Sequence, residues 1–264
     1  MAKFSAIVCL PPEAGADVEA AVAAALAPFK ICEGPEETWM WDEWWIRDGT
    51  AGFPVIPGHD DDPRLVHRKT LWDGSPAAPP VPGWCGGAPH ELIDFATPLA
   101  EAERRAEAAW RVLSELGAAH PPAASWGELR ARSLADPDGY PYPQMNADYQ
   151  AQPFVHALAE LQGHEHVPFS QTADPFVWLD DPVLLLTGGW PAYRRKATAG
   201  IISAEALLTL DGRWLDEDGA FGYATVQACP EPGLNWRDLY RMEATDYLLS
   251  LPGDTLLIRL GCHC

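Results

Sequence analysis

The amino-acid sequence predicts an α+β protein whose two chain ends form one sheet. Three observations support this class: a strand then a helix near the start, a hairpin signal near residue 211, and a helix then a strand at the end. Strand–helix–strand units at both ends are typical of a split βαβ, ferredoxin-like sheet with helices on one side. We therefore expect a single domain, 1–264, with scaffold halves at 1–48 and 201–264 and a large, mixed, mainly helical insertion at 49–200.

The N-terminal segment is predicted to form a strand followed by a helix. Residues 3–10 are mostly apolar and contain no glycine or proline. Over 17–29, apolar side chains recur at helical spacing, at Val18, Val22, Leu26 and Phe29. Each element would have an apolar face, so each requires a second layer to cover it.

The C-terminal segment is predicted to contain a hairpin, a helix and a strand. Asp211-Gly212 separates two apolar runs and is typical of a type I′ turn, in which both central residues have positive φ. Asn235 is expected to cap a helix that stops before Pro252-Gly253. In the last strand, 255–264, alternate residues share a face: Leu256, Ile258, Leu260, Cys262 and Cys264 on one, and Leu257, Arg259, Gly261 and His263 on the other.

The predicted insertion contains helices and proline-rich loops. Its clearest helix is expected to begin with Thr97 as the N-cap and Pro98 in the first turn, and to end at Gly117. A second helix is predicted over 152–162. The remaining expectations are loops at 72–89 and 136–143, a buried strand at 183–186 and a short helix opened by Trp190-Pro191.

The chain is strongly acidic, with 38 Asp and Glu, 18 Lys and Arg, and a formal net charge of −20. Such a charge repels nucleic-acid phosphates and anionic lipid, so we expect no direct binding to either. It suits a basic protein partner, and it also keeps a protein without a partner soluble. No run approaches the roughly 20 apolar residues of a membrane span. Because the first ten residues have the pattern of a strand and not of a signal peptide, we expect a cytoplasmic protein with its cysteines as thiols.

Tryptophans cluster at 39–46, where four occur within seven residues. One interpretation is a stacking platform for a base or a sugar. The other is a strand whose rings pack into the core on both faces. Alternation along a strand places Trp41 and Trp45 on one face and Asp42 and Trp44 on the other. The candidate ligand- or partner-binding set consists of Trp41, Asp42, Trp44 and Trp214.

Two cysteine-containing segments are candidates for chemistry. Cys262-His263-Cys264 offers metal-ligand residue types, but in a strand His263 points away from both cysteines and no Cys-x-x-Cys occurs in the chain. We expect these cysteines to continue an apolar face, and we expect neither a metal nor another cofactor. Cys85 follows Trp84 in a glycine loop with His90 nearby, and it is expected to be exposed, although the flanking residues of a papain-type nucleophile are missing.

Three segments resemble parts of one protein family. Residues 41–46 (Trp-Asp-Glu-Trp-Trp-Ile) resemble the start of its Trp-Asp-Trp-Tyr-x-Ile-Gly-Gly-Arg-Trp motif, and 208–214 resemble its Val-x-x-Asp-Gly-x-Trp hairpin. The ending, from Leu251-Pro252-Gly253 to Cys262-His263, is similar to its Leu-Pro-Asp-Asp-Thr-Leu-Leu…Asp-Cys-His terminus. The family is an uncharacterised one of actinobacterial and phage proteins, and the matching segments occur in the same order at both ends of this chain.

The resemblance implies a shared scaffold and a phage or actinobacterial context, and it implies no reaction. Where the family motif continues with Gly-Gly-Arg-Trp, this chain has Arg47-Asp48-Gly49-Thr50. A pocket built on that arginine and tryptophan therefore has no direct counterpart here.

Three functions stay open on the sequence alone. The preferred hypothesis is a non-enzymatic accessory protein of phage or mobile-element origin that binds a protein partner, since aromatic residues are typical interface anchors. The alternative is an enzyme or small-ligand binder with a tryptophan-lined pocket between the scaffold and the insertion. The third is a structural component of a particle.

Overall fold

A computed structural model describes residues 3–33, 36–71, 73–161, 181–217 and 236–264. The strands are β1 (Lys3–Leu10), β2 (Glu43–Ile46), β3 (Phe53–Pro54), β4 (Trp84–Cys85), β5 (Gly87–Pro89), β6 (Ala206–Leu208), β7 (Trp214–Asp216) and β8 (Leu256–His263). The helices are α1 (Val18–Leu26), α2 (Ala96–Ala119), α3 (Trp126–Ala135), α4 (Tyr142–Gln150), α5 (Pro153–Glu160), α6 (Pro182–Thr198) and α7 (Trp236–Ser250).

Contacts divide the chain into two compact units. The first comprises Met1–Leu99, Ala199–Gln227 and Trp236–Cys264, and the second comprises Ala100–Thr198 and Ala228–Asn235. Residues 49–99, which were expected in the insertion, belong to the first unit. The single domain expected over 1–264 stays a prediction.

The first unit is built on a mixed sheet to which both chain ends contribute. Its strand order is β2-β8-β1-β6-β7, and β5 also pairs with β8. β8 is antiparallel to β1 over eight residue pairs, from Lys3↔His263 to Leu10↔Leu256, and β6 is parallel to β1. Since β1 and β2 are both antiparallel to β8, they run parallel to each other with β8 between them. The prediction of an α+β fold with a split β1-α1-β2 unit is confirmed.

Both faces of this sheet are apolar, and each has its own cover. On one face Ile7 and Leu257 belong to a core with α7, which contributes Tyr240, Ala244 and Leu248. On the other face Val8 and Ile258 belong to a second core with α1, which contributes Val22 and Leu26. The expectation that the helices lie on one side of the sheet is therefore wrong, because alternate residues of β1 and β8 are buried in both directions.

The hairpin predicted around Asp211-Gly212 is confirmed as β6 and β7, but its turn is not type I′. The amide of Gly212 donates to the carbonyl oxygen of Thr209 at 3.0 Å, and φ of Gly212 is +79°. Among the described non-glycine residues, only Cys32 has positive φ, so Asp211 lacks the conformation that a type I′ turn requires. A turn followed by a left-handed glycine is typical of a longer, bulged hairpin loop.

The second unit is helical, and its sequence predictions had mixed outcomes. The helices predicted at 97–117 and 152–162 are confirmed as α2 and α5. Asp94 accepts from the amide of Thr97 at 2.9 Å, so Thr97 is not the N-cap. The strand predicted at 183–186 is wrong, because these residues form the first turns of α6. An apolar run of four fits a helix as well as a strand, and α6 has a break at Gly189 before Trp190, where the short helix was predicted.

Two predicted loops contain regular secondary structure. The predicted loop at 72–89 contains β4 and β5 within its described residues, and α4 begins inside the predicted loop at 136–143. Asn235 and Cys229 lie outside the described residues. No helix in the described part of the chain is long and apolar enough to cross a membrane.

Candidate functional site

The three tryptophans of the predicted binding set lie in one apolar core. Trp41 is 6% exposed, and its Nε1 donates to the carbonyl oxygen of Leu26 at 3.0 Å. Trp214 is 4% exposed, and its ring centroid lies 5.2 Å from that of Phe29. Trp44 is half-buried against the same core. These rings pack β2, α1 and the β6–β7 hairpin against one another. This geometry agrees with the interpretation that the tryptophans pack into the core.

Asp42, the fourth member of the set, lies at the surface. Its Oδ1 is 2.6 Å from Nδ1 of His263, and its amide donates to the carbonyl oxygen of His263 at 2.9 Å. This hydrogen bond to His263 lowers the pKa of the Asp42 carboxyl. The pair joins the residue before β2 to the last residue of β8, so it fixes the register between the two strands.

The cysteines considered for chemistry are mostly inaccessible. Cys85 is fully buried, so the expectation of an exposed glycine loop is wrong, and burial raises the pKa of its thiol to about 12. Cys262 is also fully buried, in the core beneath α1, while His263 projects from the opposite face. The described residues contain no group of three or more His, Cys, Asp or Glu arranged to hold a metal ion.

A cleft of about 410 Å³ lies on the sheet of the first unit, beside the first residues of β1. We call it the Trp45 cleft. It is lined by three basic residues, two acidic residues and a group of apolar and small ones: Lys3, Arg47, Arg68, Asp48, Glu205, Phe4, Trp45, Ile46, Ala51 and Gly261. Its volume falls in the range of small-molecule sites.

Strand register explains why a cleft forms at this place. Trp45 of β2 pairs with Gly261 of β8, and Gly261 pairs with Ser5 of β1. Ser5 in turn binds Glu205, whose Oε2 accepts from the Ser5 amide at 2.5 Å and from its hydroxyl at 2.9 Å. The row Trp45, Gly261, Ser5, Glu205 therefore crosses the sheet with two small residues at its centre, which leaves room above them.

Trp45 forms one wall of the cleft. An added Cβ at Gly261 would lie 2.4 Å from Cε2 and Cζ2 of Trp45, so the indole occupies the space above the glycine. The ammonium of Lys3 lies 5.9 Å from the ring centroid, a cation–π arrangement. Within the described residues, the indole Nε1 of Trp45 has no hydrogen-bond acceptor. The ring therefore offers both an aromatic surface and a free donor.

The acidic residues of the cleft are already engaged by protein donors. Asp48 accepts from the amides of Gly49 at 2.7 Å and Arg68 at 2.9 Å, and its Oδ2 lies 3.1 Å from Nδ1 of His67. Glu205 is held by Ser5. These hydrogen bonds orient the carboxylates and occupy several of their acceptor positions.

The basic side chains of the cleft have no carboxylate partner among the described residues. In the part of the chain that the structure describes, the side chains of Lys3, Arg47 and Arg68 form no ion pair. Arg68 uses Nε to donate to the carbonyl oxygen of Thr70 at 2.9 Å, which leaves its terminal nitrogens free. With three basic and two acidic side chains, the lining has a formal excess of one positive charge in a chain of net charge −20.

A further cation lies at the border between the cleft and the core. Arg259 is on the same face of β8 as Gly261, and its guanidinium donates to the carbonyl oxygens of Gly52 at 3.1 Å and Ser203 at 2.7 Å. It has no carboxylate partner among the described residues. Burial, and secondarily the charge of Arg47, lowers the pKa of Arg259 to about 10. An anion bound nearby would offset the free-energy cost of burying the Arg259 charge.

The residues of the Trp45 cleft were missed by sequence reasoning, although the sequence held a signal for them. Alternation did separate Trp45 from Trp44 and assign it to the opposite face. It wrongly grouped Trp41 with Trp45, because Trp41 precedes β2 and is not part of that strand. Arg47 and Asp48 were noted only where the chain departs from the family motif. The approach of Arg68 and Glu205 depends on long-range pairing that no local pattern predicts.

The arrangement is suited to holding an anion beside an aromatic surface. Guanidinium groups bind carboxylates and phosphates through paired donors, and an indole face accepts a flat or apolar group. Comparison of the chain with protein-family models, with curated proteins and with solved structures found no match.

Proposed function

We propose that this chain is a binding protein whose Trp45 cleft holds the anionic group of a small ligand. The observation that supports the proposal is the set Lys3, Arg47 and Arg68, three basic residues without an ion-pair partner among the described residues. In a chain with 38 acidic residues, carboxylates to neutralise these cations are abundant, yet the two at the cleft accept from Ser5 and from backbone amides and form no ion pair with the three cations.

Electrostatics favours a small anion over a polyanion. A polyanion such as nucleic acid would meet the negative charge of the rest of the surface, whereas a single phosphate or carboxylate enters a local positive field. Arg259, two residues before Gly261 on β8, adds to that field, since its partners are two carbonyl oxygens and the ring of Phe53, none of which carries a negative charge. Lone anionic groups are therefore the ligands that this cleft fits best.

Calorimetric titration with methyl phosphate and acetate at low ionic strength tests the proposal. Saturable binding of either anion is expected, and it should weaken as salt is added, because screening reduces exposed charge interactions. Arg47→Gln and Arg68→Gln should each weaken binding by about tenfold, the effect of losing a hydrogen bond to a charged group. Arg105→Gln is the matched control, because Arg105 is an exposed arginine of α2 in the second unit.

Two results would overturn the proposal. One is the absence of saturable binding of both anions to the unaltered, folded protein. The other is equal weakening by Arg105→Gln and by the cleft variants, since general surface charge would then explain the binding. Unchanged melting temperatures in all three variants would show that the comparison concerns binding and not folding.

A second candidate is an accessory protein that binds a basic protein partner, in the phage or mobile-element context that the resemblance implies. The net charge of −20 favours it, since an acidic surface attracts a basic one. Cross-linking of the purified protein in lysate of its own host, followed by mass spectrometry, tests it at low and high salt. Capture of basic proteins that disappears at high salt is expected, and capture that is insensitive to salt would contradict it.

A further inference from the structure

We infer that the ligand of the Trp45 cleft is an aromatic anion, a flat ring that lies on Trp45 and carries a phosphate or carboxylate bound by Arg47 and Arg68. The inference rests on the proposed anion-binding function and adds the ring. It is the combination of an indole wall and unpaired guanidinium groups in one cleft that points to this class of ligand.

The indole of Trp45 is presented to the cleft by a sheet position that cannot hold a side chain. The ring lies above Gly261, where an added Cβ would be 2.4 Å away, so the backbone of β8 supports one side of it. The ammonium of Lys3 lies over the ring at 5.9 Å, which places a charged group from the cleft against its electron-rich surface. A flat ring takes this position by displacing the ammonium, whose long side chain can turn towards the anionic group.

The spacing of Trp45 and Arg47 along the backbone fits a small aromatic anion. Trp45 and Arg47 are two residues apart in an extended segment, since Ile46 ends β2 and the Arg47 amide still donates to the carbonyl oxygen of Arg259 at 2.8 Å. Their Cα atoms are therefore roughly 7 Å apart. A single ring with a directly attached phosphate or carboxylate spans such a distance, so one molecule can use both groups.

The donors of the cleft also fit an anion attached to a ring. Nε1 of Trp45 has no acceptor among the described residues, and the terminal nitrogens of Arg68 are free. An oxygen of the anionic group could accept from both the indole and a guanidinium. The ring and the anion would thus be bound by neighbouring residues.

Matched ligand pairs test the contribution of the ring. Phenyl phosphate is compared with methyl phosphate, and benzoate with acetate, by calorimetry on the full chain. The ring should tighten binding by about five- to a hundredfold, the range found for stacking of a base on an aromatic side chain. The two pairs also separate the sources of the anion, because the pair with the larger affinities identifies phosphate or carboxylate as the preferred group.

Variants then assign the ring effect to Trp45. Trp45→Leu should reduce the advantage of phenyl phosphate over methyl phosphate to about twofold or less. Methyl phosphate itself should bind somewhat more weakly, because the variant lacks the indole N–H donor, so the ratio of the two affinities is the readout. Trp44→Phe is the matched control, because Trp44 is the adjacent tryptophan of β2 and packs against the opposite core. If Trp45→Leu does not fold, Trp45→Phe and the ligand pairs on the unaltered protein still decide the question.

The outcomes distinguish this inference from the proposed function. If methyl phosphate or acetate binds and the ring adds nothing, the aromatic ligand is excluded and anion binding stands. A ring advantage that persists in Trp45→Leu also overturns the inference, because the ring would then lie elsewhere. If none of the four compounds binds, the proposed function fails and the inference fails with it.

Discussion

The indole of Trp45 occupies the space above Gly261 that a side chain at position 261 would need. The two residues are direct partners in the β2–β8 ladder, and an added Cβ at 261 would lie 2.4 Å from two ring atoms of Trp45. The glycine is therefore required by the ring opposite it, although its backbone does not have positive φ. The contact between Trp45 and Gly261 therefore supports both the wall of the cleft and the packing of β2 against β8.

Replacement of this glycine is the first prediction. Gly261→Ala should lower the free energy of unfolding by about 1–3 kcal/mol through overpacking, which exceeds the gain of about 0.4–1 kcal/mol from a less flexible unfolded chain. Trp45→Leu in the same chain should recover part of the loss, because the smaller side chain leaves room for the new methyl group. Chemical denaturation of both single variants and the double variant measures this coupling.

Gly15→Ala is the control for the first prediction. Gly15 does not have positive φ, and nothing lies within 4 Å of an added Cβ there. It should change stability little. A Gly261→Ala protein as stable as the original, or losses in the double variant that simply add, would mean that the ring moves aside freely.

The cysteines give a prediction about accessibility. Cys9, Cys85 and Cys262 are buried, and burial raises the pKa of each thiol to about 12, whereas Cys32 and Cys264 are exposed. At pH 8 a pKa of 12 in place of 9 leaves about a thousandfold less thiolate, which is the reactive form. Iodoacetamide should therefore modify Cys32 and Cys264 before Cys9, Cys85 and Cys262, as read by peptide mapping. Rapid modification of Cys85 in folded protein would contradict the structure at β4.

The same thiols predict how stability changes at alkaline pH. Their pKa is higher in the folded chain than the ordinary value of 9.0, so the folded state holds protons that the unfolded state releases. The stabilisation is complete below pH 9 and is lost as the pH rises towards 12. Cys85→Ala should lose less stability than the original chain between pH 9 and 11, as measured by urea unfolding. A steeper loss of stability in Cys85→Ala than in the original chain would contradict a raised pKa of Cys85 in the folded state.

The left-handed backbone of Gly212 gives a further prediction, which does not depend on the turn type expected from the sequence. Gly212 has φ of +79°, which disfavours β-branched residues. Gly212→Val should reduce the free energy of unfolding by about 1–3 kcal/mol. Gly212→Asn is the control, since asparagine tolerates left-handed backbone, and it should cost clearly less. Equal melting temperatures for the two variants would mean that the left-handed conformation is not needed for the hairpin.

Local patterns were sufficient to predict the sheet-forming ends. The alternation in β8 correctly separated Leu256 and Ile258 from Leu257, because strand periodicity depends only on neighbouring residues. It could not show that α1 and α7 cover opposite faces, since that depends on the strand order. The run 183–186 was assigned to a strand because four apolar residues contain no helical period. In the structure the half-buried Asp181 accepts from the amide of Val183 at the start of the helix.

The candidate site was harder to predict because it depends on contacts distant in sequence. The tryptophan count drew attention to Trp41 and Trp214, whose size and apolar surface instead place them in the core. The cleft is identified by what surrounds Trp45: a glycine opposite it, and cations from three separate segments. Those neighbours come together only when β1, β2 and β8 pair in register.

The last prediction concerns β8, on which the first unit depends. β8 pairs with β1, β2 and β5, and its residues contribute to both cores. Deletion of 255–264 removes the strand between β2 and β1, exposes the apolar faces of β1 and α1, and separates β2 from the sheet. The truncated chain should aggregate or lose cooperative unfolding of the first unit, whereas deletion of Cys264 alone, which follows β8, should leave it intact. Size-exclusion chromatography and thermal unfolding decide the matter, and a truncated chain that is soluble, monomeric and cooperatively folded would show that β8 is dispensable.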